Sequence, residues 1–167
     1  MDEALEDWTT QVFINHCMEV AQGQYEADKQ PKMLDRASHY VHVLTDGLYT
    51  LDVSPDYEVF AVDTKGQRVP TQRWSSGLGD QVYLAVRLSL AETFGETVEP
   101  LPIVLDDILV RFDADRQNKA LHLLTDVAKR HQVWVLSCQK ELADMARNIR
   151  GIDVYQLTRD GAEWMTS

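Results

Sequence analysis

Hydrophobic positions change period twice along the chain, and those changes mark its elements. Residues 4–28 read as one helix: no proline interrupts them, Gly23 is their single glycine, and Leu5, Trp8 and Val12 share a face. After Pro31, the residues Met33, Leu34, Ala37, Tyr40, Val41 and Leu44 repeat at helical spacing over 32–45, and Asp46-Gly47 marks a turn. The period then shortens. Leu48–Val53, Tyr57–Val62 and Gln67–Val69 read as strands, separated by Ser54-Pro55-Asp56 and Lys65-Gly66, which predicts a small β-meander.

From Gly77 the helical period returns. Leu78, Val82, Ala85, Val86 and Leu90 mark one face, and Tyr83, Leu84 and Leu88 widen it, so this helix is expected to be buried on more than one side. Gly95 and Pro100 end it. Leu101–Leu105 is a continuous apolar run, the pattern of a central parallel strand. A helix follows over 114–131 with Leu121, Leu124 and Ala128 on one face, then a strand at Val133–Leu136 and a short helix over 140–147. Val154–Leu157 and Glu163–Met165 close the chain as strands around Asp160-Gly161. Alternating strands and helices from residue 101 onward predict an α/β fold with a parallel-sheet core. There is no internal repeat.

Composition narrows the function. The chain has 167 residues, 44% of them hydrophobic, enough for a domain with its own core. No apolar run approaches the roughly 20 residues that span a bilayer, so no membrane role is expected. The acidic start Met1-Asp2-Glu3-Ala4-Leu5-Glu6 does not read as a secretory signal. Cys17 and Cys138 form neither a disulfide framework nor a zinc site and read as core residues in a reducing, cytoplasmic setting. His16, His39, His42, His122 and His131 lack metal-ligand spacing, with His39 and His42 expected at or near a helix surface. The net charge of −11 opposes direct nonspecific binding of nucleic acid, so any DNA contact is expected through other segments.

Two places concentrate chemistry. The run Ile103-Val104-Leu105 delivers Asp106 and Asp107 to the carboxyl end of a strand, where ligands collect in open α/β sheets. Side-chain alternation would put the two carboxylates on opposite faces, one for a metal and one for a nucleophilic water. Residues 91–115 hold seven acidic residues and one basic residue, Arg111, a charge density that solvent or a cation must relieve. The alternative is that Asp106 or Asp107 caps a turn. The second place is Trp74-Ser75-Ser76-Gly77-Leu78-Gly79-Asp80-Gln81. A glycine-loosened turn before a helix suits a phosphate, because the helix end offers free N–H groups and glycine permits close approach. The alternative there is an ordinary N-cap by Ser75 or Ser76, with Asp80 in the first turn.

In this order and spacing the two elements resemble the C-terminal lobe of an ABC-type ATPase head of the SMC, SbcC and YhaN-like branch. Ser75 to Gln81 is similar to the signature motif and Ile103 to Asp106 to the Walker B strand. Asp107 stands where most members carry a catalytic glutamate, and Phe112-Asp113-Ala114-Asp115-Arg116 is similar to the D-loop. Ala37 to Tyr49 resembles the lead-in from coiled coil to head. The match covers roughly residues 30–158. The phosphate loop Gly-x-x-x-x-Gly-Lys-Ser/Thr, Walker A, is absent from these 167 residues.

The resemblance implies a P-loop NTPase half with a helical coiled-coil stub over 1–46 and an ATPase lobe over 47–167. It implies ATP and Mg²⁺ as cofactors, a Walker A lobe supplied in cis or in trans, and a head-to-head homodimer acting in DNA repair or maintenance. Ser75, Ser76, Gly77, Gly79 and Gln81 would then belong to the nucleotide-facing signature, with Ser75 and Gly77 on the γ-phosphate bound by the partner. Asp106 would hold Mg²⁺, Asp107 would orient the attacking water, and Asp113 would communicate across the dimer. Three positions depart from the family. Trp74 replaces a leucine, Asp107 is one methylene shorter than glutamate, and Gln139, or Cys138 in an alignment without a shift, holds the switch-histidine position. Glutamine can bond a phosphate but carries no proton. Two functions follow as expectations: one half of an ATPase, inactive alone, or a degenerate lobe that dimerises or regulates without hydrolysis.

Overall fold

The computed structural model of the chain describes residues 32–54, 56, 58–96, 99–159 and 161–164. The helix expected over 4–28 lies outside them. A helix over residues 32–44, α1, leads into three antiparallel strands, β1 (Tyr49–Val53), β2 (Val59–Asp63) and β3 (Arg68–Pro70), in the order β1-β2-β3. This is the meander expected from the short period. Asp46 and Gly47 take left-handed φ values of 53° and 76°, and the Gly47 N–H donates to the His42 carbonyl at 2.8 Å, which closes the helix end.

A single turn of 3₁₀ helix leads to α2 (Ser76–Gly95). β4 (Ile103–Asp106), α3 (Ala114–Val127) and β5 (Val133–Leu136) then form a parallel βαβ unit, followed by α4 (Lys140–Arg147) and the hairpin of β6 (Tyr155–Thr158) and β7 (Gly161–Trp164). Expected and observed elements agree within a few residues. The clearest difference is α3, which stops four residues early. No glycine or proline announces that stop. Instead the last turn tightens to i→i−3 bonds, the Lys129 N–H donating to the Asp126 carbonyl at 3.3 Å and the Arg130 N–H to the Val127 carbonyl at 3.0 Å, while the Arg130 side chain reaches Glu92 of α2.

One core joins all the layers. α1 contributes Ala37, Tyr40, Val41 and Leu44; α2 contributes Leu84, Ala85 and Leu88; α3 contributes Leu121, Leu124 and Val127. Leu90 and Tyr83, read from sequence as part of the buried faces of α2, are 42% and 51% exposed. The register of α2 turns Gln81, Ser89 and Glu92 inward instead. Each of these polar groups satisfies a neighbour. Gln81 Nε2 donates to the otherwise orphaned Leu44 carbonyl at 2.5 Å, and the Ser89 hydroxyl donates to the Met33 carbonyl.

Glu92 is 3% exposed, yet it is fully engaged. Tyr40 donates its hydroxyl to Oε2, Arg130 Nε donates to Oε1 at 2.7 Å, and Arg36 Nε lies 3.7 Å from Oε2. Burial and this carboxylate push the Tyr40 phenol well above its ordinary range. The hydrogen bond to Glu92 likewise raises Arg130. The cluster pins the far end of α2 to both α1 and the turn after α3.

Candidate functional site

The parallel sheet has two unequal faces. Ile103, Val133 and Val135 are half-buried and Leu105 is buried, all against the core. On the other face Val104 pairs in register with Trp134, and Asp106 with Leu136. There Val104 is 61%, Trp134 47% and Leu136 39% exposed. Among the described residues β4 pairs only with β5, so the strand expected at the centre of a sheet is an edge here. Asp106 ends this open face.

Asp107 is not a strand residue. It leaves the sheet in a left-handed bend at φ 49°, a conformation that aspartate tolerates better than most side chains. Its N–H donates to the Leu136 carbonyl at 2.9 Å, its carbonyl accepts from the Val110 N–H at 3.2 Å, and Oδ1 accepts from the Cys138 N–H at 3.4 Å. The two carboxylates are thus separated by a turn rather than by strand alternation. Both are exposed. Cys138, expected in the core, is exposed beside Asp107.

Gln139 precedes α4 and is held on both sides. Its Oε1 accepts from Gln117 Nε2 at 2.8 Å, and its Nε2 donates to the Val110 carbonyl at 3.4 Å. Gln117, 6% exposed, also donates to the Leu109 carbonyl at 3.1 Å. A buried glutamine in α3 therefore ties Gln139 to the loop after β4. Sequence reading passed over Gln117 because polar helix residues usually face water. Its signal was its phase, four residues before Leu121 and seven before Leu124 on the buried face of α3.

The glycine turn is anchored locally. Ser75 is the N-cap of α2, its Oγ accepting from the Leu78 N–H at 3.2 Å. That bond uses the oxygen lone pair and leaves the hydroxyl hydrogen able to donate. Ser76 is exposed, Gly77 and Gly79 are half-buried, and open space lies where a Gly79 side chain would be. Asp80 sits beyond the first turn and pairs with Arg111 at 3.2 Å. Gln81, expected to face nucleotide, is 2% exposed and spends its amide on Leu44.

Asp113 is the N-cap of α3, Oδ1 accepting from the Arg116 N–H at 2.9 Å. Lys119 reaches from α3 to both Asp115 and Asp46, and those bonds, Asp115 first, raise its ammonium above the ordinary lysine value. The structure thus gathers Asp106, Asp107 and Gln139 at the carboxyl end of β4 and β5. Asp113 and the Ser75–Gly77 turn meet through α3, and Gln81 lies inside.

Among the described residues no group of three His, Cys, Asp or Glu side chains could hold a metal ion by itself. Exposed Asp106 at a strand end fits a different arrangement. Mg²⁺ keeps several waters and takes one or two carboxylates together with substrate phosphates. No helix among the described residues is long and apolar enough to cross a membrane.

No family model matches the chain. Over 146 residues it is 28% identical to the uncharacterized protein YhaN of Bacillus subtilis (strain 168), a match covering 85% of this chain and 15% of that protein. The chain therefore spans a small part of that relative. Among solved structures, one from work on ATP-driven dimerization and DNA-stimulated activation of SMC ATPases superposes with a TM-score of 0.63 at 13% identity. It covers 86% of this chain and 87% of that one. The SMC head domain from Thermotoga maritima gives a TM-score of 0.59 at 16% identity, over 87% of this chain and 52% of that one. The Smc head domain with a coiled coil and joint from Pyrococcus yayanosii gives 0.63 at 14% identity, over 92% and 30%.

Proposed function

We propose that this chain, whose fold is that of the C-terminal lobe of an SMC-type ATPase head, supplies the signature and Walker B sides of a composite ATP site. The observation that carries this reading is the open end of the parallel sheet. Asp106 and Asp107 stand exposed beside an apolar face, Val104, Trp134 and Leu136, that a second lobe with the phosphate loop would cover. That lobe would come in cis or in trans. Two such heads would then meet face to face around nucleotide.

The chain's own residues take distinct parts. Asp106 would hold Mg²⁺, largely through water. That ion, when bound with ATP, neutralises charge on the β- and γ-phosphates. Asp107, fixed by its bonds to Leu136, Val110 and Cys138, would orient the attacking water from the loop after β4. Ser75 would donate its hydroxyl to the γ-phosphate held by the partner head, and Gly77 would let that phosphate approach. Ser76 and Gly79 would border the same surface, and Asp113 would sense the partner. Gln81 supports this surface from within through Leu44. The whole protein would act in DNA maintenance in the cytoplasm, through segments less acidic than this one.

Gln139 favours a second reading, a head that dimerises on ATP with little hydrolysis. Its amide is engaged by Gln117 and Val110, and it cannot relay a proton. Both readings are tested in the head completed with its phosphate-loop lobe. Asp107→Asn should keep nucleotide binding, slow hydrolysis by about 10²-fold or more, and prolong the ATP-bound dimer. Ser75→Arg should block dimerisation and spare ATP binding. Loss of nucleotide binding in Asp107→Asn, or normal turnover in Ser75→Arg, would sink these assignments. ATP-driven dimerisation without measurable hydrolysis in the unaltered head would select the second reading.

A further inference from the structure

Gly77 is tight on its inner side. A Cβ built there would overlap Nη1 of Arg116 and lie 3.0 Å from Cζ and 3.3 Å from Nη2. The guanidinium of Arg116 thus occupies the volume that a glycine leaves open. Asp113 holds both the backbone and the side chain of Arg116: Oδ1 accepts from its backbone N–H at 2.9 Å as the cap of α3, and Oδ2 lies 3.4 Å from Nε of the guanidinium. A planar fork fits flat against backbone in a way that an ammonium cannot. The turn at the start of α2 and the turn at the start of α3 are therefore joined by one side chain. Arg111 to Asp80, at 3.2 Å, makes a second tie between the same two regions.

We propose that Arg116 is a positioning residue of the composite site, locking the Ser75–Gly77 turn to the Asp113 turn so that both meet a partner head as one surface. The inference rests on the reading of this lobe as half of an ATP-dependent head dimer. It gives Gly77 a second requirement besides phosphate approach: the space above it belongs to Arg116 of its own lobe.

The experiment is a double-mutant cycle in the completed head, comparing Gly77→Ala, Arg116→Ala, both together, and Arg116→Lys. Dimerisation is sized with ATP, ATP affinity is measured on the undimerised head, and melting is followed for each form. Arg116→Ala should weaken ATP-driven dimerisation by about tenfold, with ATP affinity and melting temperature unchanged, because the residue is near the surface and its coupling is local. Arg116→Lys should recover little. In the Gly77→Ala background, Arg116→Ala should cost nothing further, since the methyl group has already displaced the guanidinium. An equal loss from Arg116→Ala in both backgrounds, or dimerisation like the unaltered head, overturns the inference alone. Failure of the unaltered head to dimerise with ATP overturns the functional reading and this inference with it. A drop in melting temperature that parallels the dimerisation loss assigns Arg116 a purely structural part and also overturns it.

Discussion

Two carboxylate regions in this lobe are built in opposite ways. Glu92 lies at the far end of α2, 3% exposed, with Tyr40, Arg36 and Arg130 around it. Asp106 and Asp107 stand in solvent at the end of the parallel sheet, and the contacts that hold Asp107 come mostly from its backbone. A buried carboxylate must be satisfied within the fold or it costs several kcal/mol. An exposed one costs little where it stands and keeps its lone pairs for something else. The first region is architecture, and the second is where the proposed function would have the chain meet a ligand.

The comparison breaks most readily at Glu92. Glu92→Ala strands a buried phenol and removes the common partner of two arginines. Arg130 is 56% exposed and can turn to water, which limits the damage. A loss of about 2–3 kcal/mol in urea unfolding is expected. A loss below about 0.5 kcal/mol, the scale of ordinary surface substitutions, would show that the cluster is not architectural.

The same contrast explains what could be read from the residues alone. The α/β fold, the meander, and the bounds of β5 and α4 were legible because apolar period and turn residues report them directly. Asp106 and the glycine turn were legible because a strand end and a helix start have local signatures. Glu92, Gln117 and Arg116 were not, since their parts depend on which residues distant in sequence come to face them. Glu92 did leave a trace. It continues the inward row of α2 at Ala85, Leu88 and Ser89, a charge in phase with the core. Asp107 was misplaced onto the strand because alternation carries no warning of a left-handed bend.

Tyr40 sharpens the comparison through pH. Its phenol is raised above the ordinary 10.0 by burial and by Glu92, so the folded chain holds this proton where the unfolded chain has released it. The stability it contributes is complete below pH 10.0 and is lost as pH rises further. Lys119, also raised, loses its contribution in the same direction. Tyr40→Phe should cost about 1 kcal/mol at pH 8, the net worth of a typical intramolecular hydrogen bond. That gap should close between pH 10 and 11, by about 1.4 kcal/mol per unit at most, because the variant lacks the titrating group while Lys119 is common to both. Unfolding curves at pH 8, 10 and 11 provide the check. A gap that stays constant across the series would mean that the phenol is not shielded as its surroundings imply.

The smallest effects belong to the exposed pair. Asp106→Ala removes a side chain with no internal partner among the described residues, and Asp107→Asn keeps both the left-handed bend and an oxygen for the Cys138 N–H. Each should change unfolding free energy by no more than about 0.5 kcal/mol. Asp107→Val serves as the contrast. A β-branched side chain at φ 49° is strained, so this variant should lose about 1–2 kcal/mol although it removes the same charge. Stability would then follow the backbone at position 107 and ignore the charge of its carboxylate, as expected where backbone bonds hold the turn and the side chain adds one long bond to the Cys138 N–H. Should Asp107→Asn cost as much as Asp107→Val, the carboxylate itself would be holding the loop, and the division between a structural and a ligand-facing acid would fail.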